Sequence, residues 1–311
     1  MGARNIITPG LDPYRLPTAA KPVRYDVRLR PSLGDARFSG EVRIELDVER
    51  WADELVLNAA ELEILGCQID DVESEWQLDD TTERLFVKPS ISIAEGPSIL
   101  RIQFEGVLND KLRGFYRSTY IDDDGTEQVI ATTQMQATDC RRAFPCWDEP
   151  EYKAVFGVTL DVAGDLTAIS NGPELDRKIE GGRNVIRFAD TMRMSTYLVA
   201  FVVGRLETTE AVDVDGVPLR VIHLPGKEHL TAFGLDVGAF CLRWFQTYYG
   251  IPYPSDKVDL VALPDFAAGA MENLGCITFR ESLLLVDPDA STQNEQQLVS
   301  DVVAHELAHM W

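Results

Sequence analysis

The sequence predicts a mainly β chain in which an N-terminal β-sandwich is followed by the first half of an α+β domain. Over the first two hundred residues, apolar and polar side chains alternate with a period of two, and turn signals such as Asn171-Gly172 separate the alternating segments. After Gly204 the apolar residues recur at helical spacing instead. We therefore place a domain boundary near residue 205, between domains at residues 1–205 and 206–311.

Sequence patterns typical of β-strands recur throughout the N-terminal domain. Four segments alternate, at residues 23–29, 38–48, 100–104 and 156–160, and residues 197–203 form a continuous apolar run. Many short strands without a helical pattern between them are typical of an antiparallel sandwich.

The second domain mixes helices and strands. Its first helical stripe ends before Gly250, a residue suited to a left-handed helix terminus. The stripe consists of Phe233, Val237, Phe240, Trp244 and Tyr248. A strand at residues 258–263, a loop of small residues at 264–273 and a strand at 276–279 follow. A last helix begins near Gln293, and this mixture of elements predicts the opening half of an α+β domain.

That last helix ends in His305, Glu306 and His309, the pattern HExxH. In a helix the two histidines lie one turn apart on one face, and two neutral imidazoles so placed can occupy two corners of a zinc tetrahedron. The glutamate between them then lies close to the water in the open position, which is the outline of a hydrolytic centre. The sequence thus predicts one Zn²⁺ per chain.

Two observations favour this interpretation over a chance HExxH on a structural helix. Two of the four histidines of the chain lie in the motif. The helix from Leu298 onward is apolar on most faces, so we expect it to be buried. A buried carboxylate is costly unless a cation or a hydrogen-bond donor meets it.

A catalytic zinc ion generally has three protein ligands and one water. No third ligand follows His309, because the sequence stops at Trp311. We therefore expect the chain to be the front part of a longer enzyme whose C-terminal remainder completes the site. On its own, the 311-residue chain should bind zinc weakly and hydrolyse little.

The composition excludes several partners and compartments. The chain has 51 acidic and 29 basic side chains, and its net charge of -22 argues against nucleic acid and anionic membranes as partners. The first twenty residues contain no apolar export signal, and no later stretch is long enough to span a membrane. Five cysteines without disulfide spacing favour reduced thiols in the cytoplasm, and the spacing of Cys140 and Cys146 matches no standard zinc site.

Small residues in the loop at 264–273 allow another backbone to approach closely, and Glu272 places a negative charge beside that path. A strand edge with a carboxylate at its end suits a peptide held by its backbone and its terminal ammonium. Alone, this loop is weak support for a function, since a loop of glycine and alanine is more often only a loop.

In combination, the motifs are far more specific. The loop contains GAMEN at residues 269–273, HELAHMW follows at 305–311, and two further segments read GFYRS at 114–118 and TQMQATDCRRAFPCWDEP at 133–150. With these motifs the chain resembles the zinc aminopeptidases of the aminopeptidase N and puromycin-sensitive type. The resemblance runs from about Val23 to Trp311.

The resemblance implies a thermolysin-like catalytic domain after the β-sandwich, and removal of single residues from the free N-termini of peptide substrates. His305 and His309 would be zinc ligands, and Glu306 the general base that takes a proton from the attacking water. Glu272 would anchor the substrate ammonium. The other implied substrate-binding residues are Gln134, Gln136, Gly269, Ala270, Met271 and Asn273. The third zinc ligand and the tyrosine that steadies the oxyanion would lie beyond Trp311.

One position departs from the family pattern. Gln134 would line the pocket for the first substrate residue, and two positions later this chain has Gln136 where the family usually has glutamate. The amide carries no charge, although its oxygen still accepts a hydrogen bond. We therefore hypothesise that Glu272 carries more of the ammonium binding than usual.

Other conspicuous residues are predicted to be structural. Arg141 and Arg142 stand beside several carboxylates and should form ion pairs that fix a loop, with Phe144 and Trp147 in the core. The two histidines outside the motif lack metal-ligating neighbours in the sequence, so we assign them to packing or to the surface.

Three other functions fit parts of the sequence. The chain could belong to a bifunctional relative that opens a lipid epoxide, to a metalloendopeptidase, or to a non-catalytic interaction protein with a decayed site. Glu272 beside a site for an amine argues against cleavage inside a peptide chain. An intact HExxH argues against decay.

Overall fold

The structure, a computed structural model, describes Asp12 and residues 14–311. Residues 1–11 and 13, which form most of the N-terminal segment in which the sequence shows no export signal, lie outside the described residues. The described chain contains 21 β-strands, two α-helices and short 3₁₀ helices.

The first ten strands are β1 (Ala20–Ser32), β2 (Arg37–Val48), β3 (Leu55–Asn58), β4 (Leu62–Ile69), β5 (Val72–Glu73), β6 (Glu75–Asp79), β7 (Arg84–Lys88), β8 (Gly96–Val107), β9 (Gly114–Ile121) and β10 (Glu127–Gln134). The next five are β11 (Val155–Ala163), β12 (Thr167–Ser170), β13 (Glu174–Glu180), β14 (Arg183–Phe188) and β15 (Phe201–Gly204). The last six are β16 (Glu207–Thr208), β17 (Val212–Val214), β18 (Val217–His223), β19 (Val258–Leu263), β20 (Ala270–Met271) and β21 (Cys276–Arg280). The α-helices are α1 (Ala232–Tyr249) and α2 (Gln293–Ala308).

Strands β1 to β15 form the β-sandwich. Its largest sheet has eight strands in the order β13-β14-β11-β1-β2-β8-β4-β5. A second sheet has four strands in the order β12-β15-β10-β9, and a third has three in the order β3-β7-β6. Pairing between these strands is antiparallel except between β1 and β11, which run parallel. The predicted mainly β sandwich is therefore confirmed, with one parallel pair in it.

The alternation of apolar residues places one side of each long strand in the core. On β1 the residues Tyr25, Val27 and Leu29 are at most 1% exposed. Tyr25 stacks on Phe156 of β11 with ring centroids 4.9 Å apart, and its hydroxyl accepts a hydrogen bond from the backbone N–H of Trp147. The loop that contains Trp147 is thereby held against the largest sheet.

The ion pairs predicted for Arg141 and Arg142 are confirmed. Arg141 donates to Asp148 at 3.0 Å and to Glu83 at 3.1 Å. Arg142 donates to Asp139 at 2.6 Å. Both aromatic residues of this loop lie in the core, as predicted. These ion pairs fix the segment that follows β10.

Strands β16 to β21 form a separate sheet of six strands. Its order is β16-β18-β19-β21-β20, with β17 paired to β18. Strands β18, β19 and β21 are parallel, whereas β20 runs antiparallel to β21 at the edge. Sheet membership changes between β15, which ends at Gly204, and β16, which begins at Glu207.

Helix α1 ends at Gly250 in the left-handed conformation, with φ 66°, as the sequence predicts. Its aromatic stripe does not face the core, since Phe240, Trp244 and Tyr248 are 66%, 46% and 66% exposed. The buried residues of α1 are Gly234, Gly238, Cys241 and Leu242. A Cβ atom on Gly234 would lie 2.6 Å from the carbonyl oxygen of Leu284. The helix therefore packs through its small residues, which permit a closer approach than the aromatic stripe would.

Three further expectations need correction. Burial of α2 on most faces is wrong, because only one side is buried and Leu298 is 49% exposed. In the apolar run at 197–203, only the part from Phe201 is a strand, and Thr196–Leu198 is a 3₁₀ helix. The predicted loop at 264–273 contains the short strand β20. Neither described helix is both long and apolar enough to cross a membrane.

A buried asparagine joins the two domains. Asn171, 2% exposed, donates hydrogen bonds from Nδ2 to the carbonyl oxygens of Leu198 and Leu274, at 2.9 and 2.8 Å. Its side-chain oxygen accepts from Ala200 N at 2.9 Å. Gly275 lies against the same residue with φ +74°, and a Cβ atom there would lie 2.3 Å from Asn171 O. The turn after β20 is thereby fixed to the sandwich.

We predict that Gly275→Ala destabilises the chain much more than Gly181→Ala. Both glycines have a left-handed φ, at +74° and +57°, but the new Cβ at residue 181 would meet nothing within 4 Å. The control should cost about 1 kcal/mol from backbone strain alone. Gly275→Ala should cost a further ~1–3 kcal/mol from the clash with Asn171. Urea unfolding measures both, and equal losses would contradict the proposed close contact between the domains.

Candidate active site

The motif helix α2 is fixed at its start by a capping box. Thr292 Oγ1 accepts a hydrogen bond from the backbone N–H of Glu295, and the Glu295 carboxylate accepts one from Thr292 N at 2.7 Å. A cap of this kind typically stabilises a helix by about 0.5–2 kcal/mol. The opposite end of α2 contains His305 and Glu306 in its last turn.

The two histidine rings of the motif converge. Both side chains are exposed, and His305 Nε2 lies 3.1 Å from His309 Nε2. The ring planes are 81° apart with centroids separated by 4.8 Å. Two imidazoles bound to one tetrahedral zinc ion at about 2.0–2.1 Å would have their nitrogens about 3.4 Å apart. The observed separation is close to that value.

Glu306 lies on the buried side of α2 and is 6% exposed. Its Oε2 atom has no hydrogen-bond partner among the described residues. Burial, and after it the charge of Glu272, raises the pKa of Glu306 to about 7. A buried carboxylate without a partner costs folding free energy, so this position favours a nearby cation.

The structure brings the acidic residues of both motifs together. Ligand atoms of Glu272, Glu306 and His309 all lie within 4.8 Å of one another. His305 is not in this group, but its Nε2 lies 3.1 Å from His309 Nε2, so a second imidazole adjoins the group. Nitrogen and oxygen donors are the ligands that zinc accepts in catalytic sites, and a cation would relieve the repulsion between the two carboxylates. The residues present therefore fit a divalent metal ion.

The GAMEN segment is the edge of the six-stranded sheet. Ala270 and Met271 form β20, which pairs with β21 and with no other described strand. Met271 and Asn273 are each 1% exposed, whereas Glu272 between them is half-buried. The backbone N–H of Asn273 donates to Met271 O at 3.0 Å, so Glu272 is the central residue of a tight turn directly after β20. An extended peptide could add to the free edge of β20.

Backbone carbonyls before the GAMEN segment are held by one arginine. Arg280 donates from its guanidinium to Phe266 O at 3.0 Å and to Ala267 O at 3.3 Å. Its backbone N–H also donates to Gly269 O at 2.9 Å. Asn273 donates to Thr278 Oγ1 at 3.2 Å. These contacts fix the loop from both ends, and they assign Asn273 a positioning role within the sheet.

The sandwich contributes Gln134 from the end of β10. Gln134 is 8% exposed, its Nε2 lies 3.8 Å from Met271 Sδ, and its Oε1 has no partner among the described residues. A second contact from the sandwich runs from the Tyr116 hydroxyl to Asp265 O at 2.9 Å. Gln136, two residues further along, is exposed. The buried and unpaired oxygen of Gln134 is thus a free acceptor beside the GAMEN segment.

Sequence reasoning did not identify Tyr197. This half-buried residue lies in the 3₁₀ helix before β15, and burial together with the charge of Glu272 raises its pKa. Its phenol therefore stands near the Glu272 carboxylate. No pattern in the sequence points to this position, because Tyr197 belongs to an apolar run that resembles a core strand.

A second group of potential metal ligands lies in the sandwich core. Atoms of Cys140, Cys146 and Asp148 lie within 4.8 Å of one another and all three residues are buried. Asp148 is already paired with Arg141 at 3.0 Å and bonded to Thr196 Oγ1 at 2.6 Å. Burial raises the pKa of both thiols. Protonated thiols beside an arginine disfavour a metal ion, in agreement with the interpretation of the cysteine spacing.

Two family models match the chain in sequence order. The model described as the Peptidase M1 N-terminal domain matches residues 21–198, and the model described as the Peptidase family M1 domain matches residues 233–311. The first range covers most of the sandwich. The second contains both the GAMEN and the HExxH motif.

Curated relatives are similar over nearly the whole chain. Aminopeptidase M1 of Arabidopsis thaliana is 44% identical over 306 residues, which is 96% of this chain and 35% of that protein. Puromycin-sensitive aminopeptidase of Caenorhabditis elegans is 43% identical over 305 residues, 96% of this chain and 32% of that protein. For mitochondrial Aminopeptidase 2 of Saccharomyces cerevisiae the identity is 41% over 302 residues, with shares of 95% and 32%. The chain spans about a third of the length of these relatives.

Proposed function

The chain belongs to the peptidase M1 family, and we propose that the complete protein is a zinc-dependent aminopeptidase that releases single residues from the free N-termini of peptides. The observation that carries this proposal is the convergence of three side chains from two motifs, with His305 next to one of them. Ligand atoms of Glu272, Glu306 and His309 lie within 4.8 Å of one another, and His305 lies beside His309.

In this proposal His305 and His309 hold the metal ion. Their Nε2 atoms already face each other at 3.1 Å, on the exposed side of α2, where no other described side chain separates them. Zinc bound there would lower the pKa of water from about 15.7 towards about 7 and polarise the peptide carbonyl. The neighbouring carboxylates then act on the water and on the substrate.

Glu306 is the proposed general base. Its Oε2 atom is free of other hydrogen bonds, so it can accept a proton from the attacking water. The same carboxyl group can return that proton to the departing amine.

Glu272 is the proposed anchor for the substrate ammonium. It is half-buried at the end of β20, whose free edge can hold the peptide backbone by strand addition. Gln134 Oε1 offers a second acceptor nearby. A substrate with an interior peptide segment in place of its ammonium would leave Glu272 buried without a cation, which favours an aminopeptidase over an endopeptidase.

We propose that the protein is cytoplasmic. We also propose that its partner is the C-terminal remainder of the same enzyme. All five cysteines of the chain are free and buried, which agrees with a reducing compartment. Glu272 and Glu306 are assigned to substrate and to proton transfer, which leaves two imidazole ligands for zinc. We therefore propose that the 311-residue chain by itself is inactive.

We predict that Glu306→Gln in the complete enzyme lowers kcat on aminoacyl fluorogenic amides by about 10²–10⁴-fold, because the proton acceptor is lost. Bound zinc, measured by atomic emission, should stay at the wild-type level. Asp301→Asn, on the exposed side of the same helix, serves as the control and should leave both quantities unchanged. A chelator should abolish wild-type activity, whereas chelator-resistant activity or hydrolysis of epoxides alone would refute the proposal.

For the isolated chain, we predict zinc binding at least about 100-fold weaker than in the complete enzyme, because one protein ligand is missing. Competition with a chromophoric chelator measures both dissociation constants. The double variant His305→Ala/His309→Ala gives the background from other side chains. Tight stoichiometric zinc in the 311-residue chain would show that Glu272 or Glu306 serves as a ligand instead.

Gln136→Glu in the complete enzyme should lower KM for aminoacyl amides by about three- to tenfold, since an added carboxylate near Glu272 would attract the substrate ammonium. The kcat value should change little. Gln77→Glu, at an exposed position of β6 remote from the motifs, is the control for the added charge. An unchanged KM would refute the hypothesis that the missing carboxylate at residue 136 weakens ammonium binding and leaves more of it to Glu272.

A further inference from the structure

A large cavity lies between the two domains, away from the motifs. It has a volume of about 730 Å³ and is lined by β12, by the start of β13, and by parts of β16, β18 and β19. We call it the interdomain cleft. Among the described residues that line it, none belongs to the GAMEN or HExxH motif. Its volume lies within the range of about 300–1,000 Å³ that is usual for ligand sites.

The floor of the interdomain cleft carries an excess positive charge. Asp259, fully buried, accepts hydrogen bonds from Arg220 Nε at 2.7 Å and from Lys257 Nζ at 2.7 Å. Burial alone would raise the pKa of Asp259, but the two cations hold it below its usual value. One carboxylate thus neutralises one of two cations. Lys257 is itself 6% exposed, so the remaining charge is poorly solvated and favours an anion.

The rim of the cleft at the other end is acidic. Glu207 and Glu228 line it, and neither forms an ion pair with a lysine or arginine of the described chain. Arg177, also on the rim, is neutralised by Glu174, to which it donates at 2.8 and 2.7 Å. The uncompensated rim charges are therefore negative, opposite in sign to the floor.

Strand register gives the distance between the two ends. Glu207 pairs with His223 on β18, and Arg220 lies three residues earlier on the same strand. At about 3.3 Å per residue, the backbone positions of the two ends are about 10 Å apart along β18, and side chains at both positions line the cleft. The charged termini of an extended peptide of two or three residues are separated by about 7–10 Å.

The wall of the cleft offers backbone hydrogen bonds. All four residues of β12 line it, and β12 is an edge strand whose partner among the described strands is β15. An edge strand presents unpaired N–H and C=O groups along its outer side, and these can pair with an extended peptide. The unpaired backbone groups of β12 and the opposite charges of the floor and the rim therefore both favour an extended chain with one anionic and one cationic end.

We propose that the interdomain cleft is a second, non-catalytic binding site for a short peptide of two or three residues. The peptide carboxylate binds Arg220 and Lys257, and its ammonium faces Glu207 and Glu228. The peptide backbone lies along β12. This site goes beyond the proposed aminopeptidase function, and its occupancy does not require hydrolysis.

The test is calorimetric titration of the 311-residue chain with trialanine, in chelator so that no peptide is cleaved. Trialanine should bind, and N-acetyl-trialanine and trialanine amide should each bind at least about fivefold more weakly, because each lacks one charged terminus. Equal affinity for all three peptides would overturn the proposal. So would the absence of binding up to about 10 mM trialanine.

Variants locate the bound peptide. Glu207→Gln should weaken trialanine binding about fivefold, and Thr208→Trp, an exposed rim position that keeps every charge, should block it. Glu210→Gln, outside the cleft lining, should leave the affinity unchanged, and the binding event of the cleft should remain in Glu272→Gln, which removes only the ammonium anchor of the candidate active site. Loss of binding in Glu272→Gln with normal binding in the cleft variants would assign the peptide to the active site and refute the second site. Failure of the aminopeptidase assay would leave this result unaffected.

Discussion

The buried side-chain amide of Asn171 holds the two domains together. Asn171 satisfies its side chain entirely with backbone groups, two from the sandwich and one from the turn after β20. Breaking this contact would leave buried donors and acceptors unpaired, which is costly in a low-dielectric interior. Gln134 of β10 contacts Met271 of the GAMEN segment, so this docking places a residue of the sandwich beside the candidate site. The sandwich is therefore part of the site.

The candidate site itself combines groups that repel one another. Two carboxylates within 4.8 Å, one of them buried, raise each other's free energy when both are ionised. The fold maintains this arrangement because α2 and β20 are fixed by separate contacts, the capping box at Thr292 and the Arg280 bonds to the preceding loop. A site whose residues cost stability without a cation and a cationic substrate is typical of a functional centre rather than a structural one.

The sequence predicted local elements well and their orientation less well. Strand β19 occupies residues 258–263 as predicted, because a short segment that is apolar except for Asp259 and buried at every position is typical of a central strand. Helix α1 has the predicted end at Gly250, yet its aromatic stripe is exposed, since Gly234 and Gly238 permit closer packing than periodicity alone indicates. The proximity of Glu272 to Glu306 came from the family motif. Spacing alone offers no signal for a contact between residues so far apart.

The turn after the GAMEN segment connects the interdomain cleft to the candidate active site. Lys257, on the floor of the interdomain cleft, donates from Nζ to Gly275 O at 2.6 Å, and Asp259 N donates to the same oxygen at 3.1 Å. Gly275 lies three residues after Glu272 and also packs on Asn171. An anion on the cleft floor would compete with Asp259 and Gly275 O for Lys257. Since the same backbone turn positions Glu272, the charge balance of the cleft and the placement of the ammonium anchor share one structural element.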